Sequence, residues 1–514
     1  MASQHRQQLR QYLDTHKNHK SSSGAGSRSS KSSFESRFNS TPEASTPGSS
    51  SRSSRAVDYL SRRKVPTKIV GRANINDLPD EIVLKIFGYL DAQGLLTAGQ
   101  ICQRWKALAN DNFLWNKICE RFAAIPTVSR QQQQQDASGE RLPASHWKKM
   151  CLKKCEEERN KRAFKLLGKV NPYSGIPKNA EKAIKSAGIS FQLSLVDRQG
   201  KENPLYSRDI FYHCMCLSIR WYDLQVLPLK EICKVKIFSC NPLFFMSDGR
   251  PYSNSPYQRS LLMSFDLKWE DYKRSAAPIG ADDMVDLYSL PQGLLVAVWK
   301  ADSELAFVSV GLHLNGLLQK CLKGNPTEIY TVPVHKIRPD DIDSKYGLHD
   351  YSCTIELRTM RQSIWHNQFR NLYCKADKMG PGFAEFPIIR RDVPSDHVML
   401  PKKLNFPWKT EAFKGTVENG IWLDVTIMDE KKEIFWHKSS AVKIASQMMQ
   451  SNLNFEFTNQ EIFHITCADD KGKIYMEMSQ NDQKEFYIIV LDLMLSLVAV
   501  NDWFGTKYRE DQEV

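Results

Sequence analysis

A chain of 514 residues, 41% of them hydrophobic, has the length and apolar content for several cores and is not a small disulfide-stapled scaffold. Its net charge of +13 would suggest a nucleic-acid surface if it were spread over a folded body. Residues 1–72, however, carry 14 Lys and Arg against 4 Asp and Glu, a surplus of 10 that leaves only +3 for the other 442 residues, so neither nucleic acid nor an anionic membrane surface is an expected partner.

No uninterrupted apolar run reaches the ~18 residues of a membrane span, and "MASQHRQQLRQYLDTHK" lacks the apolar stretch of a signal peptide. A cytoplasmic or nuclear location is expected, with the 12 cysteines as reduced thiols. Residues 1–72 form a Ser/Arg-rich tail. Within it, residues 21–54 hold 16 serines in 34 positions and too few large apolar side chains to offset their ordering entropy, so disorder is expected. Thr41-Pro42 and Thr46-Pro47 fit proline-directed phosphorylation, and "SRRKVPTK" (61–68) reads as a solvated linker or a short nuclear-import patch.

Residues 73–122 are the first folded segment; 25 of the 48 residues from 75 to 122 are apolar. In "LPDEIVLKIFGYLD" (78–91), Pro79 suits the first helical position and Asp80 and Glu81 complement a helix N-terminus. At 100° per residue, Tyr89, Ile82, Ile86, Leu90, Val83, Phe87 and Leu84 fill an arc of roughly 220°, against the ~100° stripe of an ordinary surface helix. One part of that arc can pack on two further helical segments, "GLLTAGQICQRWKALAND" (94–111) and "NFLWNKICERF" (112–122). The remainder must be covered by the rest of this chain or by another protein.

Leu78-Pro79-x-Glu81-Ile82, Ile86-Phe87-x-Tyr89-Leu90-Asp91, Leu95-Leu96, Cys102-x-x-Trp105, Ala109 and Leu114-Trp115 together resemble the F-box pattern over its whole length. The resemblance implies a three-helix F-box module that docks onto the Skp adaptor of an SCF-type (Skp–cullin–F-box) ubiquitin ligase. Carried over position by position, Leu78, Pro79, Ile82, Ile86, Leu90 and Leu95 would meet the adaptor, and Trp105 and Trp115 would either join them or belong to the module core. The resemblance extends over residues 75–508 to one member of the family, through "VNPYSGIP" (170–177), "GLLVAVWK" (293–300), "ELAFV", "YGLHDY" (346–351), "FRNLY" (369–373) and "WFGTKY" (503–508).

Residues 123–187 read as a loop and linker helices. "QQQQQ" (131–135) marks an exposed loop, "HWKKMCLKKCEEERNKRAFKLLG" (146–168) one charged helix, and 177–187 a shorter one. From residue 188 to 514 the apolar period changes to two. Phe191, Leu193 and Leu195 alternate in one segment, Met215, Leu217, Ile219 and Trp221 in a second, and Tyr351, Cys353, Ile355 and Leu357 in a third. Residues 293–314 read as two apolar strands around a polar turn, and 424–438 and 463–480 as hairpins with polar tips. The fold class expected is α+β: a disordered tail, a three-helix F-box module, a linker helix, and a mostly β C-terminal domain that is a sandwich or a distorted barrel.

No GxxxxGK[ST], HExxH or GxSxG motif is present. His146, Cys151 and Cys155 have ligand-like spacing on one helix but lack the four groups of a structural zinc site, so packing thiols are expected and neither metal nor cofactor is assigned. Cys214 and Cys216, after His213, are expected on one buried strand face. Trp221, Trp269, Trp299, Trp365, Trp408, Trp422, Trp436 and Trp503 divide between core positions and a groove for a bound protein, as do "YGLHDY" and "WFGTKY". The function expected is a non-catalytic substrate-recognition subunit. It would bind the Skp adaptor, and through it cullin and RING subunits, and would present an unidentified protein substrate held by residues 188–514. The alternative is an F-box scaffold that binds the adaptor without promoting ubiquitin transfer.

Overall fold

The computed structural model describes residues 75–508, except 124–142, 144, 208, 223–227, 253–254, 276–277, 282–283, 334–347, 376–378, 381, 402–419, 449–460, 482 and 484. The expectations for the tail, for "QQQQQ" and for Trp408 lie outside the described residues.

Four short helices come first: α1 (Asp80–Phe87), α2 (Ala92–Ala98), α3 (Gln103–Ala109) and α4 (Asn112–Ala123). Pro79 is the N-cap of α1, one place earlier than expected, and its carbonyl accepts from the Ile82 and Val83 amides. The segment 94–111, expected as one helix, is two. Gly99 closes α2, Cys102 turns extended at φ −154°, and its sulfur accepts from the Trp105 amide at 3.4 Å to start α3. Asp91 caps α2 by accepting from the Gly94 amide at 2.7 Å. The linker then forms α5 (His146–Leu167) and α6 (Ala180–Ser186).

The strands follow in chain order. β1 (Ser190–Asp197), β2 (Glu202–Tyr206), β3 (Asp209–Tyr212), β4 (Cys216–Tyr222), β5 (Ile232–Pro242) and β6 (Tyr257–Asp266) lead to α7 (Trp269–Ser275). Next are β7 (Gly280–Ala281), β8 (Val285–Leu290), β9 (Leu294–Trp299), β10 (Leu305–His313) and α8 (Leu317–Lys323). β11 (Leu348–Arg358), β12 (Ser363–Cys374), β13 (Phe383–Ile389), β14 (Val398–Met399), β15 (Gly420–Met428) and β16 (Ile434–Met448) come before β17 (Glu461–Ala468), β18 (Gly472–Gln480), β19 (Phe486–Ser496) and α9 (Leu497–Phe504).

These strands make three antiparallel sheets, ordered β2-β1-β5-β6, β3-β4-β10-β9-β8-β7 and β12-β11-β15-β16-β17-β18-β19-β13, with β14 added beside β19. The end strands β12 and β13 of the largest sheet approach one another, so it is a nearly closed barrel. Of the two β architectures expected, the larger half takes the distorted barrel. Its interior holds Ile355, Val425, Ile465, Met476 and Leu491, with α9 contributing Val500 and Phe504.

The six-stranded sheet is sandwiched on both faces. One face packs Leu217, Ile219, Trp221, Val296 and Val310 with Phe191, Leu193 and Ile237 of the four-stranded sheet. The other sets Tyr222, Leu295, Ala297 and Phe307 against Met360, Trp422 and Ala441 on the outside of the barrel. This explains why β4, β10 and β15 are buried along their whole length although apolar and polar or small residues alternate in them, and why β9 is apolar at every position. Much of the second face is polar or small and is covered by a neighbouring sheet. Gly311 is required by that close approach: a Cβ there would sit 2.1 Å from Ser439 Oγ.

Candidate functional site

The four N-terminal helices share a core of Val83, Phe87, Ala92, Leu95, Ala109, Leu114, Trp115, Ile118 and Cys119. Phe87 meets Trp105 edge-on at 5.3 Å, and the Trp115 indole N–H donates to the Ala109 carbonyl at 2.6 Å. The chain's own later elements seal one side of this core. Trp147 and Cys151 of α5 and Phe244 from the loop after β5 enter the same cluster. Asn112 donates to the Pro143 carbonyl and accepts from the Trp147 amide, and Lys148 bonds Asn110 at 2.9 Å.

The other side is not sealed. Relative to Ile82, the buried Val83 and Phe87 point roughly 100° and 140° around α1, whereas Ile82, Ile86 and the following Tyr89 fall within roughly 60° of one another. Those three remain 45%, 40% and 83% exposed. Ile101, in the turn that feeds α3, is 63% exposed, and α3 packs on α1. The base of the face is fixed by Arg104, which bonds Asp80 through Nε at 2.8 Å and the second guanidinium nitrogen at 2.6 Å, and also donates to the Leu78 carbonyl. A rigid helix thus presents a row of large apolar side chains to solvent.

Of the residues carried over from the family pattern, Pro79, Ile82 and Ile86 are exposed, and Leu78, Leu90 and Trp105 are half-buried. Leu95 and Trp115, at 1% and 0% exposure, are core residues with no surface to offer a partner. For Leu95 this corrects the expectation of an adaptor contact: it lies on the inner face of α2, in the shared core with Ala92 and Ala98. For Trp115, of the two roles left open, the structure has the core one. Tyr89 and Ile101 were not among the expected contacts; the proximity of Tyr89 to Ile82 on the helical wheel was the available signal.

The other sequence candidates are architectural. Cys151 hydrogen-bonds Cys119 and Cys155, and these contacts, together with burial, push its thiol well up and keep it protonated. Among the described residues no cluster of three His, Cys, Asp or Glu side chains is arranged to hold a metal ion. Cys214 lies in the bend before β4 and is exposed, so it does not share a buried face with Cys216, a correction that follows from the strand beginning only at Cys216. The Cys216 thiol donates to Asp424 at 2.7 Å, and burial raises its pKa well above the usual range. Trp221, Trp269, Trp299, Trp365, Trp422 and Trp436 are all buried, so they line no groove. Trp503 is half-buried, packing edge-on against Phe435 and donating to Asp429. Leu348 and Tyr351 of "YGLHDY" and Phe504 and Tyr508 of "WFGTKY" are barrel core.

Comparison with known proteins agrees with this geometry. The F-box-like family pattern matches residues 75–121, which span α1 to α4. F-box only protein 15 of Macaca fascicularis is 30% identical over 441 residues, covering 84% of this chain and 100% of its own length. The Homo sapiens protein of the same name is 29% identical over 445 residues, covering 84% of this chain and 86% of its own. A protein of Aspergillus oryzae named "Probable E3 ubiquitin ligase complex SCF subunit sconB" is 28% identical over 163 residues, covering 30% of this chain and 21% of its own.

Proposed function

The chain belongs to the family of F-box only protein 15, and from that premise we propose that it is the substrate-recognition subunit of an SCF-type ubiquitin ligase. The observation that carries the reading is the unsealed apolar row of Ile82, Ile86 and Tyr89 on a helix whose opposite face is already packed. Full burial of a large apolar side chain is worth roughly 1.5–3 kcal/mol, so a few such anchors suffice to hold an adaptor. In this reading Leu78, Pro79, Ile82, Ile86 and Leu90 contact the Skp adaptor, with Tyr89 and Ile101 beside them. The adaptor brings cullin and RING subunits, the β-rich half holds the target protein, and the chain works in the cytoplasm or nucleus without catalytic residues of its own.

The linker supports such a role because it is rigidly attached at both ends. Arg159 of α5 is buried and donates to the carbonyls of Asn241 and Pro242 and to Gln258 Oε1, each at 3.1 Å. A target held on the β-rich half therefore keeps a fixed distance from the adaptor. The test is affinity purification of the full chain from cells under proteasome inhibition. The adaptor, cullin and RING subunits should co-purify, and partners lost in the Ile82→Glu/Ile86→Glu variant should carry ubiquitin. Adaptor without cullin, or bound partners never ubiquitylated, would favour the scaffold alternative.

A further inference from the structure

A cavity of about 530 Å3 opens beside α8, where the six-stranded sheet, the four-stranded sheet and the barrel meet. That volume suits a small ligand or one or two residues of a peptide. Leu262, Met263, Leu312 and Leu317 give it an apolar wall. The polar wall is mostly committed to protein partners. His313 Nδ1 accepts from the Asn315 amide at 3.2 Å, so Nε2–H donates to Thr426 Oγ1 at 2.8 Å, and Thr426 in turn donates to Met215 sulfur at 3.0 Å. Ser439 Oγ donates to Asp424 at 2.6 Å. Asp469 accepts from the Trp436 indole at 3.1 Å and is paired with Lys438 at 3.3 Å.

Four lining side chains have no hydrogen-bond or ion-pair partner among the described residues: Gln292 and Asp470, which are exposed at the rim, and the Lys320 ammonium and the His437 ring, which are half-buried. The His437 ring lies stacked on His313 at 4.1 Å and 9°, which fixes its orientation. Burial, with the nearby Lys320 and Lys471 charges, depresses His437 to about 4, so it is neutral at pH 7 and offers one N–H. A single ammonium and a single neutral donor match one negative charge. No arginine lines the cavity, and Asp469 and Asp470 in its wall oppose a second negative charge, so a phosphoryl dianion is a poor fit.

We infer that this cavity binds a single carboxylate carried on an apolar body, with Lys320 and His437 donating to the carboxylate and the four apolar side chains covering the body. Resting on the receptor role proposed above, the source is an apolar C-terminal residue of a target chain. A free small acid carries the same chemistry.

The experiment measures binding to the full chain by ligand-observed NMR, using a hexapeptide that ends in leucine with a free carboxylate, octanoate, and the neutral amide of each. The peptide acid should bind about tenfold or more tighter than its amide, and Lys320→Met or His437→Leu should each weaken it by about tenfold. Equal binding of acid and amide, wild-type binding by both variants, or no peptide-acid binding below about 10 mM would overturn the inference. Binding of octanoate without the peptide acid would overturn the assignment to a chain terminus. The Ile82→Glu/Ile86→Glu variant should bind the peptide acid normally, and Lys320→Met should bind the adaptor normally, so failure of either reading is separable from failure of the other.

Discussion

The buried Arg358–Asp424 pair joins the barrel to the six-stranded sheet, and removing only the arginine should destabilise the protein severely. Both side chains are fully buried. Arg358 Nε donates to Asp424 Oδ2 at 2.5 Å and the other nitrogens reach Asp424 Oδ1 at 3.1 Å, Ser218 Oγ at 2.7 Å and Ser439 Oγ at 3.3 Å, while its guanidinium lies 4.8 Å from the Trp422 ring. Arg358→Met leaves the Asp424 carboxylate with only Ser439 and the Cys216 thiol as donors. Stranding one buried charge costs about 3–5 kcal/mol, whereas replacing both by apolar residues is often near neutral. The loss of partners for Ser218 and Ser439 adds back about 1–2 kcal/mol, so Arg358→Met/Asp424→Leu should be about 2 kcal/mol more stable than Arg358→Met alone. Burial alone would raise the Asp424 pKa, but the Arg358 guanidinium outweighs it and holds the carboxyl below its usual range. The pair's contribution is therefore complete above the unfolded-state pKa of about 3.9 and is lost as pH falls through the lower folded-state value. Urea denaturation followed by circular dichroism at pH 7 and pH 3 measures both effects. A cost below about 1 kcal/mol for the single variant, or a double variant no more stable than the single, would refute the reasoning.

Three further outcomes are expected. Arg159→Met removes a buried guanidinium from four acceptors, the Asn241 and Pro242 carbonyls and the Gln258 and Asn160 side-chain oxygens, and should cost about 2–4 kcal/mol, with faster amide hydrogen exchange in α5 than in the barrel; exchange unchanged in α5 would contradict it. Gly311→Ala should cost about 1–3 kcal/mol by urea titration, because its methyl group meets Ser439 Oγ at 2.1 Å, and an unchanged midpoint would show that the sheets are not in close contact there. Burial, with the nearby Asp424 charge, raises the Glu356 pKa, so its ionisation opposes folding above the unfolded-state value. Glu356→Gln should accordingly raise the urea midpoint at pH 7 and lose that advantage at pH 4; the reverse order would sink the argument.

The helices and hairpins were legible because their periods differ, and the excess apolar arc of α1 was legible because 220° cannot face one core. What the sequence could not reveal was how that arc divides. Val83 and Phe87 turn inward and Ile82 outward through contacts with residues as distant as Trp147 and Phe244. The same limit hid the second buried face of β4 and β10. Alternation of Leu217 and Ile219 with Ser218 and Arg220 reads as core against solvent, yet Ser218 faces Arg358, which is 140 positions away. The helix break at 99–102 was missed because Cys102 acts as an N-cap through sulfur, a weaker signal than Ser or Asp. The Lys320–His437 cavity draws on residues from separate elements and carries no local motif.

The central claim is that the exposed face of α1 is a protein-docking surface, and calorimetric titration of the full chain with purified Skp adaptor tests it directly. Two glutamates in place of Ile82 and Ile86 remove apolar burial worth about 2–3 kcal/mol, so Ile82→Glu/Ile86→Glu should weaken adaptor binding by about 100-fold with the urea midpoint unchanged. Wild-type affinity in that variant would contradict the account.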